Sequence, residues 1–374
     1  MNRYVDMLNI ESYRGIRNLK LKDMGNINIL VGDNNAGKTS VLEAIQLICD
    51  PSVYNLLQVA IKRSSPYFLS NRRLNKMESL IYMFDQEHSD DHFGHNSFQN
   101  LFLTIHAMRN GEWGTFRVEG QKGKSMMVSE QLPSMVMEES SFYSFEEAID
   151  AETESFRGHM ESTFASCQCS KQIEIDRNSK PFRPDEEEKH VLNHHFVQAF
   201  DHIIGDSFSD TIKTISNKEK AVSLLKYFDK DIVDLRYINE KGRYIPVVEN
   251  KGKGTLPLAI YGDGMKKVLT LLNAVISAQN GVVLIDEFET AIHTSVMEKS
   301  YRFILKVANE LKVQVFMTTH SLEAVDKLLE AGSDQLEDIR VVRLKKDGDN
   351  TYARVLNGTE AREDRTRFDM ELRI

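Results

Sequence analysis

The sequence feature that most constrains the fold is GDNNAGKT at residues 32–39, a complete match to the pattern GxxxxGK[ST]. The apolar segment NINILVG leads into it, and a helix pattern with an apolar face follows it. A strand, a glycine-containing loop and a helix in this order predict a phosphate-binding loop, because glycines let the backbone approach an anion and the helix N-terminus points at it. The candidate phosphate-binding residues are Gly32, Asp33, Asn34, Asn35, Ala36, Gly37, Lys38, Thr39 and Ser40.

Two side chains of this loop have expected roles in catalysis. Lys38 is expected to reach the β and γ phosphates of a nucleotide, and the Thr39 hydroxyl is expected to ligate Mg²⁺. The alternative is a strand-to-helix turn that binds nothing. The strand and helix patterns on either side favour the phosphate-binding interpretation.

A second candidate site element is the apolar run VVLI at residues 282–285, which ends in Asp286 and Glu287. A buried parallel strand would deliver both carboxylates at its carboxyl end, where ligands bind in open α/β sheets. Asp286 is then the expected Mg²⁺ contact, and Glu287 is the expected base that orients an attacking water. The alternative is an acidic pair that only caps the next helix.

The next apolar run, VQVFMTTHS, ends at His320 and Ser321, and the segment between the two runs has helical spacing. Together they predict a strand, helix, strand crossover over residues 281–320. His320 would project toward the same crevice as Glu287, where its imidazole can hydrogen-bond the γ-phosphate or the water. A purely structural histidine is the alternative.

A glycine-flanked helix start lies at Gly262, Asp263 and Gly264, ahead of the apolar-faced pattern KKVLTLLNAVISA. The N-terminus of a helix is an anion site, but the loop at residues 32–39 already serves the phosphates of the same subunit. These residues could therefore close the nucleotide of a second subunit. A Gly-Asp-Gly cap that binds no ligand is the alternative.

The length of 374 residues exceeds the usual span of one domain. Residues 1–50 and 250–345 are predicted to form a split α/β head, residues 51–249 an inserted, partly helical subdomain, and residues 346–374 a peripheral segment. Within the insertion, residues 186–206 and 217–229 have helix-like patterns. Asp347-Gly348-Asp349 lies between two strand-like runs and predicts a hairpin turn.

Composition limits the possible partners and the compartment. The formal net charge of −9 gives no overall field for polyanions, so contact with DNA would need a local patch. Residues 62–76 carry five basic groups and no acid, which fits either such a patch or a solvated loop. Three cysteines favour a reducing compartment, and there is no signal peptide pattern and no 18-residue apolar stretch. We therefore expect a cytoplasmic chain that makes no membrane contact.

The order of these motifs resembles that of the ATP-binding-cassette-like (ABC-type) AAA ATPases of the OLD, RecF and SMC superfamily, particularly the stand-alone ATPase subunits of bacterial anti-phage systems. The similarity covers residues 1–50 and about 250–345. The segments that carry it are IESYRGIRNLKL, GDNNAGKTSVLEAI, YGDGMKK, LIDEFETAIH and TTHSLE. The fold implied is a P-loop NTPase of the α/β class, with an ABC-type head and a large insertion.

The resemblance also implies how the sites work. It implies ATP and Mg²⁺ as ligands and a head-to-head homodimer that encloses two ATP molecules, with the Gly262–Gly264 segment acting across the interface. Arg14 is implied to approach the nucleotide, and Glu289 and His293 to lie on the loop that links the two sites. The function implied is a sensor or regulatory subunit that controls a separate effector, possibly a nuclease, in a prokaryotic defence system. The alternative is a repair or chromosome-maintenance ATPase whose insertion binds DNA.

Overall fold

The protein is described here as a computed structural model. It covers residues 3–64, 76–84, 99–126, 152–164, 167–176, 192–204, 208–240 and 242–368. The strands within these residues are β1 (Met7–Tyr13), β2 (Ile16–Leu21), β3 (Ile27–Gly32), β4 (Gln99–Arg109), β5 (Glu112–Met126), β6 (Glu152–Phe164), β7 (Cys167–Asp176), β8 (His194–Val197), β9 (Ile232–Glu240), β10 (Arg243–Asn250), β11 (Gly254–Pro257), β12 (Val282–Ile285), β13 (Gln314–Thr318), β14 (Ile339–Asp347) and β15 (Asn350–Asn357).

The helices are α1 (Lys38–Cys49), α2 (Val53–Ser64), α3 (Lys76–Ile81), α4 (Asp201–Ile204), α5 (Ile215–Leu225), α6 (Asp263–Ser277), α7 (Thr294–Glu310), α8 (Leu322–Ala331) and α9 (Gly358–Phe368). In the described part of the chain, no helix is long and apolar enough to cross a membrane.

The central sheet has the strand order β15-β14-β3-β13-β12-β8. Its strands run parallel to their neighbours, except for β15, which pairs antiparallel with β14. Every residue of β3, β12 and β13 is buried, as expected for strands that are covered on both faces. Leu284 packs toward α1 on one face, whereas Val283 packs toward α6, α7 and α8 on the other.

The second large sheet is antiparallel, with the order β2-β1-β4-β5-β6-β7, and it shares a core with α1 and α2. Strand β1 comes from the predicted head and β4 from the predicted insertion, and they pair with Ile10 opposite Ile105. Strand β8, also from the predicted insertion, joins the central sheet through β12. Each of the two large sheets therefore contains strands from both the predicted head and the predicted insertion. A third sheet has the order β11-β10-β9.

Several predictions from the sequence are confirmed by the elements observed. Strand β3 leads into α1 through the glycine loop, and the crossover consists of β12, α7 and β13, with β12 and β13 parallel. The hairpin prediction is also confirmed, because β14 and β15 pair with Asp347 opposite Asn350. Helix α5 confirms most of the helix expected over residues 217–229.

The helix expected over residues 186–206 is wrong in its described part, residues 192–204. His194–Val197 is a strand there, and only the four residues of α4 are helical. Strand β8 pairs with β12, with His194 opposite Val282, so the edge of the central sheet satisfies backbone groups that a helix would have paired internally. The spacing of apolar residues in this segment gives no information about such a long-range pairing. Most of the basic segment at residues 62–76 lies outside the described residues.

A core substitution tests whether the two large sheets unfold as one unit. Phe156 on β6 is fully buried and stacks on Phe84 with ring centroids 5.4 Å apart. We expect Phe156→Ala to lower the free energy of unfolding by about 3–5 kcal/mol in a single urea transition. The matched control is Phe102→Ala on β4, where the side chain is 51% exposed and the loss should be much smaller. Two transitions, of which Phe156→Ala shifts only one, would contradict a shared core.

Candidate active site

The loop between β3 and α1 is shaped by two glycines that other residues could not replace without strain. Gly32 has a φ of 143°, and a Cβ built on it would lie 2.3 Å from the Leu344 carbonyl oxygen. Gly37 has a φ of 93°, and a Cβ there would lie 2.9 Å from a side-chain carbon of Ile16. Gly37 is also the N-cap of α1 and has no side chain to occupy the N–H groups of the first helical turn. These N–H groups are therefore free to bind an anion.

Lys38 is folded back across this loop. Its side chain is buried, and its Nζ donates to the carbonyl oxygens of Gly32 at 2.7 Å and Asp33 at 2.9 Å. The same Nζ lies 3.5 Å from His320 Nδ1. Burial lowers the pKa of Lys38, and the nearby negative charges, Asp286 first, oppose this effect. The ammonium group is thus held at the centre of the loop, next to His320.

A hydrogen-bond network joins the ends of β12 and β13 to α1. Asp286 accepts from the Thr39 hydroxyl at 3.1 Å and from the Thr318 hydroxyl at 2.6 Å. The Thr318 hydroxyl in turn accepts from the backbone N–H of Glu287 at 2.9 Å. Glu287 has a φ of 46°, in the left-handed region that is strained for a residue with a side chain. Thr318, which the sequence reasoning quoted but gave no role, therefore braces both acidic residues.

This arrangement fits Mg²⁺. The Asp286 carboxylate and the Thr39 hydroxyl are hard oxygen donors side by side, and Mg²⁺ in nucleotide sites takes one or two protein oxygens together with phosphate oxygens and water. Among the described residues, no group of three or more His, Cys, Asp or Glu side chains could hold a metal ion. A metal at Asp286 would therefore need further oxygens, from water or from a bound phosphate.

A cavity of about 410 Å³ opens beside the loop. Its lining residues are Arg14, Gly15, Ile16, Asn35, Gly37, Ser40, Arg63, Tyr82, Phe84 and Lys346. Three of these side chains are cationic and two are aromatic. The cavity is therefore suited to a ligand with a negative charge and a planar ring.

Two of the cations share one carboxylate partner. Arg14 Nε donates to Glu43 Oε2 at 2.7 Å and to the Tyr13 hydroxyl at 3.1 Å. Arg63, on α2, donates to the same Glu43 oxygen at 3.1 Å and to Ser40 Oγ at 2.9 Å. Arg14 thus lies next to the phosphate loop. Arg63 belongs to the basic segment at residues 62–76, which the sequence suggested as a patch for DNA and not as part of a nucleotide cavity. Lys346 was missed, because nothing local marks a lysine on another element as part of the cavity.

The start of α6 has a different environment. Gly262 and Asp263 are exposed, and a Cβ built on Gly262 would meet nothing within 4 Å. A Cβ on Gly264, in contrast, would lie 2.8 Å from the Ala291 carbonyl oxygen. Lys266 donates to Asp263 at 2.9 Å and lowers the pKa of that carboxyl. Within the described residues, the three residues 262–264 take no part in the network of Lys38, Thr39, Asp286 and Glu287.

The loop between β12 and α7 carries Glu289 and His293. Glu289 Oε1 accepts from the His320 backbone N–H at 3.1 Å, which ties this loop to the end of β13. His293 is the N-cap of α7, and its Nδ1 accepts from the Ser295 backbone N–H at 3.2 Å. The ring of His293 therefore caps the N-terminus of α7.

Two family models match the chain. One, described as an AAA ATPase domain, matches residues 4–173. The other, described as AAA domain, putative AbiEii toxin, Type IV TA system, matches residues 151–326. The two matches together run from the first strand to α8, and they include the loop at residues 32–40 and the acidic pair.

Individual relatives agree with these matches. An ATP/GTP phosphatase of Helicobacter pylori is 23% identical over 341 residues, which are 87% of each chain. The DNA replication and repair protein RecF of Shewanella baltica is 30% identical over 139 residues, which are 36% of this chain and 32% of RecF. The solved structure of an SMC head bound to the C-winged helix domain of ScpA has a TM-score of 0.51 and 10% identity, and covers 95% of this chain and 98% of its own.

The likeness to the SMC head is one of fold, whereas the family models and relatives also match the sequence. The strand order, the glycine loop and the acidic pair at the end of β12 are what such a nucleotide-hydrolysing head requires. The chain is therefore an AAA-type ATPase that hydrolyses ATP; part of its sequence is similar to RecF, and its fold is similar to that of an SMC head.

Proposed function

We propose that this ATPase binds the triphosphate of ATP on residues 32–40 and cleaves it with water at the ends of β12 and β13. The observation that carries the proposal is the network in which Asp286 accepts hydrogen bonds from Thr39 and Thr318. Two neighbouring strand ends and the first turn of α1 bring these three side chains together. The same residues stand beside Lys38 and the free N–H groups of α1.

In this proposal each residue of the network has one task. The N–H groups of residues 33–40 bind phosphate oxygens, and Lys38 leaves the Gly32 and Asp33 carbonyls to pair with the β and γ phosphates. Thr39 and Asp286 hold Mg²⁺, which when bound neutralises charge on the transferred phosphoryl group. Glu287 orients the water and accepts its proton, and His320 hydrogen-bonds the γ-phosphate.

The cavity beside the loop is proposed to hold the rest of the nucleotide. Arg14, Arg63 and Lys346 supply positive charge next to Gly37 and Ser40, and the exposed ring of Tyr82 supplies a face for the base. Because Glu43 already pairs with both arginines, their guanidinium groups are held in place before the ligand arrives. Such preorganisation reduces the entropy lost on binding.

Glu287→Gln tests this mechanism. The variant keeps the size of the side chain but cannot accept the proton of the water, so we expect turnover to fall by about 10²- to 10⁴-fold while ATP still binds. Phosphate release measures turnover, and equilibrium binding of a fluorescent ATP analogue measures affinity. The control is Glu161→Gln on β6, an exposed carboxylate that should leave both quantities unchanged. Turnover by Glu287→Gln at the wild-type rate would remove Glu287 from the mechanism.

We also propose a head-to-head dimer in which residues 262–264 of one subunit approach the ATP of its partner. Support comes from the exposed start of α6, which has the glycines and free N–H groups of an anion site but no place in the network of its own subunit.

Mixing two inactive variants tests the composite site. Lys38→Ala removes the phosphate contact, and Gly262→Arg blocks the proposed trans contact without a clash in its own subunit, because a Cβ there meets nothing within 4 Å. Gly264 is unsuitable, since its substitution would press on Ala291. Random pairing of an equal mixture leaves one intact site in half of the dimers, so we expect about a quarter of wild-type activity. If the mixture is no more active than its parts, the trans site is wrong.

We propose further that the ATPase is the regulatory subunit of a prokaryotic defence system and controls a separate effector, possibly a nuclease. The description of the matched family as a putative AbiEii toxin of a Type IV TA system supports a role of this kind. We expect the chain in the cytoplasm, where the concentration of ATP would then control whether the effector is active.

Co-purification with the products of neighbouring genes tests the regulatory role. Two variants are compared: Glu287→Gln should hold ATP, whereas Lys38→Ala should not. We expect one neighbouring gene product to remain bound to only one of them. The activity of that product, bound and released, is then measured on nucleic acid. If every neighbour binds the two variants equally or not at all, the proposed nucleotide control is wrong.

The alternative, a DNA-binding repair or chromosome-maintenance ATPase, is favoured by the 30% identity to RecF. Stimulation of the ATPase by DNA, with an affinity that falls steeply with salt, would favour this alternative over a separate effector.

A further inference from the structure

Lys267, in the second turn of α6, is a completely buried lysine outside the residues that the proposed mechanism uses. Its relative exposure is 0%, and its Nζ donates to the Ala199 carbonyl oxygen at 3.0 Å. Ala199 lies between β8 and α4, beside the end of β12, where the Asp286 backbone N–H donates to the Val197 carbonyl. A buried ammonium group is costly unless opposite charges offset it.

The offsetting charges come first from Asp201 on α4 and then from acids of the candidate site. Burial lowers the pKa of Lys267 to about 8, and Asp201, Glu289, Asp286 and Glu287 oppose that effect in this order. A pKa near 8 leaves the ammonium form prevailing at neutral pH. His202, on α4, also faces Lys267, and its own pKa is lowered by burial and then by the lysine charge. Three of the four acids lie on the loop that follows β12.

Two further observations connect α6 to that loop. A Cβ on Gly264 would lie 2.8 Å from the Ala291 carbonyl oxygen, so the first turn of α6 is in direct contact with the loop. Glu289 Oε2 is buried and has no hydrogen-bond partner within the described residues, although Oε1 accepts from His320. A buried carboxylate oxygen without a hydrogen bond depends on nearby positive charge.

We infer that Lys267 is a positioning residue that couples α6 to the acidic loop after β12, so that the start of α6 and Glu287 keep a fixed relative position. This inference rests on the proposed function of Glu287. The Lys267 ammonium donates to the Ala199 carbonyl oxygen, and its charge attracts Asp201 and the loop carboxylates. A nucleotide that contacts the exposed start of α6 is thereby connected to the acidic loop of the same subunit.

Lys267→Met tests the coupling. Methionine is similar in length and apolar, but the removal of one partner leaves the neighbouring buried carboxylates without their offsetting charge, so we expect the melting temperature to fall while the protein still folds. Because the phosphate loop makes the ATP contacts, we expect the Kd for ATP to stay within about threefold while kcat falls about tenfold or more. Lys267→Arg retains the charge and should recover part of kcat. The control is Lys306→Met on α7, an exposed lysine whose loss should leave kcat unchanged.

The outcomes separate this inference from the proposed function. A Lys267→Met enzyme whose kcat is within about twofold of wild type overturns the coupling, and so does a parallel loss of kcat, ATP affinity and melting temperature, which would be a folding defect. If Lys267→Met does not fold, Lys267→Arg decides: partial kcat with normal ATP affinity supports the coupling, and a folded but inactive variant overturns it. Glu287→Gln is measured in parallel. If it turns over normally, the proposed function fails; if it is inactive and Lys267→Met is normal, only the coupling fails.

Discussion

Parallel pairing of β3, β13 and β12 is the interaction on which the rest of the site depends. Leu30 pairs with Thr318 and Met317 with Ile285, so the strands finish at one edge of the sheet. Backbone hydrogen bonds thus place the loop after β3, the Thr318 hydroxyl and the acidic pair within reach of each other. The site geometry follows from strand register, because a shift of one residue would turn every side chain to the opposite face.

Buried charge is the second constraint, and the molecule offsets it with short-range partners. Lys38 donates to the carbonyl oxygens of its own loop, Glu43 is shared by Arg14 and Arg63, and Lys267 donates to the Ala199 carbonyl oxygen near the end of β12. Each pairing lies next to the loop or to the acidic strand end. The strained backbone of Glu287 is at the same place. Such costs are tolerated where the surrounding strands and helices determine the conformation, and they lie at the edge of the sheet where we propose the ATP site.

Much of the head could be predicted from the sequence because its signals are local. A glycine pattern between an apolar strand and a helix, and apolar runs that end in Asp286 or His320, depend on neighbours in the chain. The antiparallel sheet of β4–β7 was not anticipated, and a helix was expected where β8 pairs with β12. Those strands depend on pairing with residues far away in the sequence. A local pattern of apolar residues does not reveal such partners. The boundaries of the predicted insertion and the roles of the site residues stay predictions.

The sequence by itself determined that a loop of residues 32–40 follows a buried strand and that acidic and histidine side chains end two further strands. Side-chain type and spacing are enough for this, because each element is encoded by consecutive residues. Only the tertiary structure decided that Thr318 hydrogen-bonds to both Asp286 and Glu287, that Arg63 and Lys346 line the cavity, and that Lys267 is buried against the Ala199 carbonyl. These contacts join residues that are distant in the chain, and the physical reason is that sheet pairing and helix packing, rather than local propensity, set their distances.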